Sequence, residues 1–306
     1  MNNLKKVGLT ALGTALVATS ASAGALSVSG VTGWTYTTTS KTDAGNEFAM
    51  KTTMNFSGSA ELDNGFNVSY FQNFTGGNIA NYNFKVDMGD SGTYAYYGDA
   101  GNNPIAALDD KTPSANEESW AVLGTVTAAH AGQASGQSHG YSVDIADGAN
   151  LRLHFTPSAA GAAESTVEGA LVYTGMDNLE LGVAMGDNNT STSGVENTNL
   201  YAVYTMGSMK LGVQMNESDS EATNSDTEFL AYGVSYAVSD DLSVSYNYSE
   251  VDYENSSLEG QEATGISVSW TNGSATVAAS THQLENGAGT GANDRTGTEV
   301  NLTFAF

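Results

Sequence analysis

Four carboxylates gather in one short, proline-bearing stretch of the chain. In NNPIAALDDKTPSANEESW, the side chains of Asp109, Asp110, Glu117 and Glu118 stand close together in sequence. Grouped carboxylate oxygens can coordinate a hard cation such as Ca²⁺, pass protons, or hold a local negative potential. The spacing matches no EF-hand loop, so Ca²⁺ at these residues competes with the simpler reading of carboxylates facing water. A second candidate is Gly136-Gln137-Ser138-His139-Gly140, which fits the G-x-S-x-G pattern of a hydrolase nucleophile. That motif works with a strand before it and a helix after it. Here a loop-like stretch precedes it and the alternating YSVDIA follows, which favours coincidence in Gly- and Ser-rich sequence. No zinc pattern, phosphate loop or dinucleotide fingerprint occurs. No catalytic or metal-ligating residue is therefore assigned, and an enzyme is not expected.

Positive charge is scarce. Nine Lys and Arg against 34 Asp and Glu give a formal charge of −25, and the chain has no cysteine. Such a balance repels phosphate backbones, which excludes nucleic acid as a partner. The lack of Cys removes disulfides, thiolate metal sites and thiol nucleophiles together. Four cations sit among apolar neighbours: Lys51 after Met50, Lys85 between Phe84 and Val86, Arg152 between Leu151 and Leu153, and Lys210 between Met209 and Leu211. Lys41, Lys111 and Arg295 fall in loop-like segments, and Lys5 and Lys6 lie near the start.

The elements that must position these groups are strands. Apolar residues recur at every second position, as in Tyr82, Phe84, Val86, Met88; in Leu179, Leu181, Val183, Met185; and in Leu242, Val244, Tyr246, Tyr248. That period belongs to a strand with one apolar face. Tight-turn chemistry appears at residues 62–65, 88–92, 146–150, 175–178, 206–208, 239–241 and 271–274, each rich in Asp, Asn, Gly or Ser. Between them lie longer polar stretches such as GDNNTSTSGVEN, NESDSEATNSDTE and LENGAGTGANDRTG. Seven short turns and eight longer loops separate sixteen strands.

Short turns at one end, longer loops at the other, and alternating faces between them are the pattern of an all-β transmembrane barrel. Hydrocarbon satisfies no backbone group, so a sheet that crosses it must close. The apolar face then meets outer-membrane lipid, and parity turns Lys51, Lys85, Arg152 and Lys210 inward. Any strand charge must avoid lipid in this way, with or without a role. Lys51, Lys85 and Arg152 fall on the second, fourth and seventh strands and share a sector of wall. Asp87, Asp144, Glu168 and Glu180 have the same inward parity and would add negative charge to a lumen.

The basic MNNLKK, the apolar VGLTALGTALVA and Ala21-Ser22-Ala23 read as a cleavable export signal over residues 1–23, leaving a barrel domain over residues 24–306. The connection from about residue 99 to 138 is exceptionally long, and Ile105, Ala106, Ala107, Leu108 and Trp120 suggest that it packs against something.

The signal, the opening LSVSGVTGWTY, the FSGSAELDNGF hairpin, the AALDDKTPSANEESW loop and the terminal Phe306 together resemble the Gram-negative general-diffusion porins, particularly those of alphaproteobacteria. The resemblance covers the whole chain. It implies a sixteen-stranded antiparallel barrel in the outer membrane of a Gram-negative bacterium, usually a homotrimer, whose third long loop folds inward and narrows a pore. It further implies that Asp109, Asp110, Glu117 and Glu118 form the acidic side of the constriction, and that Lys51, Lys85 and Arg152, with Lys210 on the same inner face, form the basic side. Members of this family often carry a denser arginine cluster. The single strand arginine here argues for a cation-preferring channel, since rings of acidic side chains favour cations. Small hydrophilic solutes and ions would cross by passive diffusion, without a cofactor. Phe306 would close the last strand against LSVSG and form part of the signal read by the outer-membrane assembly machinery. A specific-substrate channel, an adhesive platform and, at the far end, a hydrolase are the competing readings.

Overall fold

The computed structural model describes residues 26–40, 47–98, 103–121, 123, 137–158, 165–189 and 194–306. The predicted signal, Lys41, and parts of the long connection lie outside these residues. Sixteen strands follow in chain order: β1 (Ser27–Thr39), β2 (Phe48–Glu61), β3 (Asn67–Thr75), β4 (Asn78–Asp87), β5 (Thr93–Tyr97), β6 (Ser138–Ala146), β7 (Ala149–Thr156) and β8 (Thr166–Met176). The second half comprises β9 (Leu179–Asn189), β10 (Gly194–Met206), β11 (Met209–Ser220), β12 (Thr227–Ala237), β13 (Leu242–Tyr253), β14 (Gln261–Asn272), β15 (Ala275–Glu285) and β16 (Arg295–Ala305). Each pairs antiparallel with its sequence neighbours, and β1 pairs β16 to close the barrel. The expected sixteen-stranded antiparallel barrel is the observed fold.

Closure is made by the ends of the chain. The registers run from Val31 opposite Ala305 to Thr39 opposite Gly297. Beyond them Phe306 N–H donates to Gly30 O at 3.0 Å and Gly30 N–H to Phe306 O at 2.9 Å. The ring of Phe306 lies over Gly30, where a β-carbon would come within 2.7 Å of it. Val300, Leu302, Phe304 and Phe306 alternate with Asn301 and Thr303, and the buried Asn301 reaches Thr35 Oγ1 and the inserted loop inside the barrel.

The outer face carries large exposed apolar side chains around its circumference, among them Trp34, Met50, Tyr70, Leu171, Met185, Leu211, Tyr232 and Trp270. No helix among the described residues is long and apolar enough to cross a membrane. Strands make the crossing, with every interstrand ladder satisfied by a neighbour.

Two expectations about connections need correction. The second outer connection is only Gly76–Gly77, both at positive φ (58° and 86°), joining Thr75 to its partner Asn78. Positive φ at both central residues is the geometry of a tight hairpin that glycine adopts without strain. Several polar stretches read as loops are strand: β11 continues to Ser220, β12 begins at Thr227 and β16 begins at Arg295. Above the lipid band both faces of a strand meet water, so the apolar alternation ends while the backbone ladder continues. Periodicity therefore undercounts strand length at that end.

The molecule's apolar core lies inside the barrel, between the long connection and the wall. Ile105 and Leu108 pack with Ala170, Val172, Ala184 and Tyr201. Trp120 packs against Phe229, Ala231 and Val251, with its ring 5.2 Å edge-on from that of Phe229. Leu123 packs with Ala263 and Leu284. These apolar pegs each enter a patch of the inner wall that interrupts its polar lining.

Candidate functional site

The segment after β5 enters the barrel and lies along the inner face of β8 to β16. Its seat is groove-like because the wall lacks side chains there. A β-carbon on Gly186 would lie 2.9 Å from Ile105 Cδ1, one on Gly212 would lie 2.3 Å from Pro113 Cδ, and one on Gly233 would lie 2.9 Å from Pro113 O. On β14, a β-carbon at Gly265 would meet Ser119 Cα at 3.0 Å.

Polar wall residues then fix the loop backbone in sequence. On β8, Glu168 accepts from Asn103 Nδ2 at 2.8 Å and from the Ile105 N–H at 3.5 Å. Asn199 Nδ2 donates to Ile105 O, and Gln214 both donates to Leu108 O and accepts from Lys111 N–H at 2.7 Å. Asn247 Nδ2 donates to Pro113 O, and Ser245 Oγ accepts from Ala115 N–H at 2.8 Å. Ser267 bonds both backbone groups of Glu117, Ser249 bonds Ser119, and His282 Nδ1 donates to Ser119 O. Irregular backbone at membrane depth is stable only when such partners replace the missing ladder. Sequence reading missed these anchors. Their signal was present: inward positions holding Asn or Gln among small Ser, Thr and Gly.

Because the loop covers β8 to β16, the open lumen is bounded by its free edge on one side and by the wall of β1 to β7 on the other. Asp109, Glu117 and Glu118 are partly exposed along that edge and Asp110 is exposed. Burial, then the neighbouring Asp110, pushes the Asp109 carboxyl up to about 7. Burial, then Glu299, raises Glu117 to about 7, with Lys51 opposing. Burial, then Asp110, raises Glu118 to about 7. Asp110, although its surface is exposed, is raised by partial desolvation, with the charge of Lys111 opposing. The loop edge therefore gains negative charge as pH rises through about 7, over a range broadened by repulsion among the carboxylates.

Lys51 is exposed on β2 and lies within electrostatic reach of Glu117. Lys85 on β4 and Arg152 on β7 line one recess with loop residues Asn103, Pro104 and Ala107. These cations thus occupy the uncovered wall, facing the loop. Lys210 does not join them: it is exposed on β11, two positions from Gly212 and beside the Gly207–Ser208 turn, in the sector that the loop covers. Lys111 extends over the Tyr201 ring, 5.8 Å from its centroid.

The inward acids divide. Glu168, expected to add charge to the lumen, is 1% exposed and committed to the Asn103 side chain and the Ile105 N–H of the loop. Asp87 accepts from the Gly89 N–H in a turn, Asp144 from Asn150 Nδ2, and Glu180 from Tyr201 Oη at 2.6 Å. Ser138 opens β6 and His139 follows on the opposite face, bonded to Tyr94 Oη. A strand and no helix follows this serine, so the hydrolase arrangement is not formed. Among the described residues, no group of three or more His, Asp or Glu stands close enough to hold a metal ion.

Solved structures share this architecture. An anion-selective porin from Comamonas acidovorans is 14% identical, covers 92% of this chain and 100% of its own, and has a TM-score of 0.74. The trimer form of OmpT, an outer membrane protein of Vibrio cholerae, is 14% identical over 93% of this chain and 100% of its own, with a TM-score of 0.71. A triple mutant of the Rhodopseudomonas blastica porin is 15% identical over 92% and 100%, with a TM-score of 0.65. At such identities the likeness concerns the fold. No curated protein matches the sequence significantly. A Gram-negative porin family model matches residues 8–260. With that match over most of its length, a closed sixteen-stranded barrel and an inserted loop, this chain belongs to the Gram-negative porin family and is an outer-membrane channel.

Proposed function

We propose that the channel passes small hydrophilic solutes and ions by passive diffusion, sorted by size at the inserted loop, and that it prefers cations. The observation that carries this reading is the opposition of the acidic loop edge, with Asp109, Asp110, Glu117 and Glu118, to a β1 to β7 wall whose Lys and Arg residues, among the described ones, are Lys51, Lys85 and Arg152. A chain with a formal charge of −25 adds an acidic vestibule to that edge. The working unit is a homotrimer, by analogy with the trimer form of the Vibrio cholerae relative. Residues 1–23 act as its export signal, and Phe306 contributes to recognition by the assembly machinery.

Swelling of protein-loaded liposomes in graded sugars tests the pore and its diameter together. Reversal potentials across a KCl gradient test selectivity. A potential of the sign set by chloride would overturn the cation preference while leaving the pore intact. Absence of sugar flux would favour an adhesive or specific-substrate role.

A further inference from the structure

A groove of about 590 Å³ runs over the outer face of β7 to β10, on the side of the wall that meets lipid. It exists because one outward position of β8 lacks a side chain. Gly169 stands opposite Leu153 on β7 and Met185 on β9, so a gap one residue wide lies between two long apolar side chains. Leu171 and Val183 pair on the next rung toward the short turns, and Val167 lies toward the outer end, which lines the gap with apolar groups along its length. Leu153, Val167 and Met185 are exposed and do not close over it.

The gap answers no demand of the fold. A β-carbon on Gly169 would have Leu153 Cδ2 at 3.6 Å as its nearest neighbour, an ordinary contact, whereas one on Gly212 would meet the inserted loop at 2.3 Å. Glycine inside a strand weakens it and often marks the close approach of a ligand or another backbone.

The outer end of the groove is acidic. Asp187 on β9 and Glu196 on β10 line it directly opposite each other, and Asp219 on β11 stands opposite Glu196 in turn. Like charges so arranged destabilise a sheet. Asp187 accepts from the Val167 N–H at 3.2 Å, which holds its carboxylate beside the groove, while Glu196 is exposed. No Lys or Arg occurs in β8, β9 or β10 to offset these charges. An anionic headgroup at this level is repelled and an ammonium is attracted.

We propose that this groove docks a membrane lipid with an amine-bearing headgroup. One acyl chain lies over Gly169 between Leu153 and Met185, and the ammonium donates to Glu196 in a charge-assisted hydrogen bond, the stronger kind. The site is on the outside of the wall, away from the solute path, and is independent of the selectivity argued above.

The test uses the detergent-folded channel and native mass spectrometry, with phosphatidylethanolamine and phosphatidylglycerol of identical acyl chains as probes. A larger fraction of the channel should retain phosphatidylethanolamine. Gly169→Leu fills the groove with a side chain for which the neighbours leave room, and should weaken phosphatidylethanolamine binding about tenfold. Glu196→Gln should bring phosphatidylethanolamine down to the level of phosphatidylglycerol and leave phosphatidylglycerol unchanged. Wild-type KCl conductance in both variants would show that the barrel is intact. Because Glu196 is exposed, its variant remains decisive even where filling the groove prevents folding. Equal retention of the two lipids by the wild type overturns the headgroup assignment, and retention that ignores Gly169→Leu overturns the groove. The chain has no cysteine, so Gly169→Cys tests a competing occupant. A disulfide between copies in the membrane would place a second copy of this chain on the face and overturn lipid docking.

Discussion

Pro113 of the inserted loop lies against Gly212 of β11 so closely that a β-carbon on the glycine would stand 2.3 Å from the proline Cδ. The wall was shaped for the loop by leaving side chains out. Gly212→Val should displace Pro113 and loosen the bonds that Asn247 makes to its carbonyl and Gln214 to the nearby Lys111 N–H. Overpacking of this kind costs about 1–3 kcal/mol. Single channels of the variant should fluctuate among conductance levels, whereas those of the wild type should hold one level. An unchanged, quiet current would show that the loop is held elsewhere.

Glu168 is the first fixed point of the loop, through Asn103 and Ile105. Glu168→Ala leaves both donors without a partner, a loss of about 1–3 kcal/mol. Glu168→Gln retains an acceptor oxygen for Asn103. Protease nicking between residues 103 and 121 should rise in the alanine variant and much less in the glutamine variant. Equal nicking in both would show that the negative charge, and not the acceptor, is what matters.

Selectivity should depend on pH through the loop edge. Asp109, Glu117 and Glu118 each have a carboxyl raised to about 7, chiefly by burial. Above that value they are ionised and attract cations. As pH falls through 7 they take up protons, and the attraction declines. The cation-to-anion permeability ratio should therefore drop between about pH 8.5 and 5.5, a span of roughly 1.5 units to each side of the midpoint. The triple variant Asp109→Asn, Glu117→Gln, Glu118→Gln should flatten the profile. A steep profile in the triple variant would assign the titration to other groups.

Deleting Phe306 removes both closing hydrogen bonds to Gly30 and the ring that covers it. Heat-modifiable mobility on denaturing gels should report a reduced folded fraction, while conductance of the pores that do form stays near the wild-type value. A normal folded fraction in cells would leave the residue with a packing role only.

Like charges face one another across the outer ends of three strands. Glu262 on β14 stands opposite Glu250 on β13 and Glu285 on β15. Directly opposed like charges destabilise a sheet, and a cross-strand pair is worth about 0.2–1 kcal/mol. Glu262→Gln should raise the melting temperature at low ionic strength, with the gain shrinking in 0.5 M salt as screening shortens to about 4 Å. A gain that ignores salt would point to packing.

Much of this architecture was legible in one dimension because a strand's side-chain period is two. Parity alone turned Lys51, Lys85 and Arg152 inward, and turn chemistry located the short hairpins. Legibility failed where both faces meet water, so the outer part of β11 and the start of β16 at Arg295 passed for loop. It failed again at Gly76–Gly77, where the two positive-φ residues make a hairpin as tight as any at the other end.

The sequence by itself determined that the chain crosses a membrane as a closed barrel, since an alternating apolar face and unsatisfied strand edges allow no other solution in lipid. It also determined which residues carry the scarce positive charge. Only the tertiary structure decided where the inserted loop lies, because that path depends on contacts between residues far apart in the chain, such as Ile105 with Ala184 and Ser119 with His282. The same path converted Glu168 from a pore-facing acid into an anchor and placed Lys210 in the covered sector, away from Lys85 and Arg152. Parity assigns a face; the closing of the barrel assigns the neighbour across it.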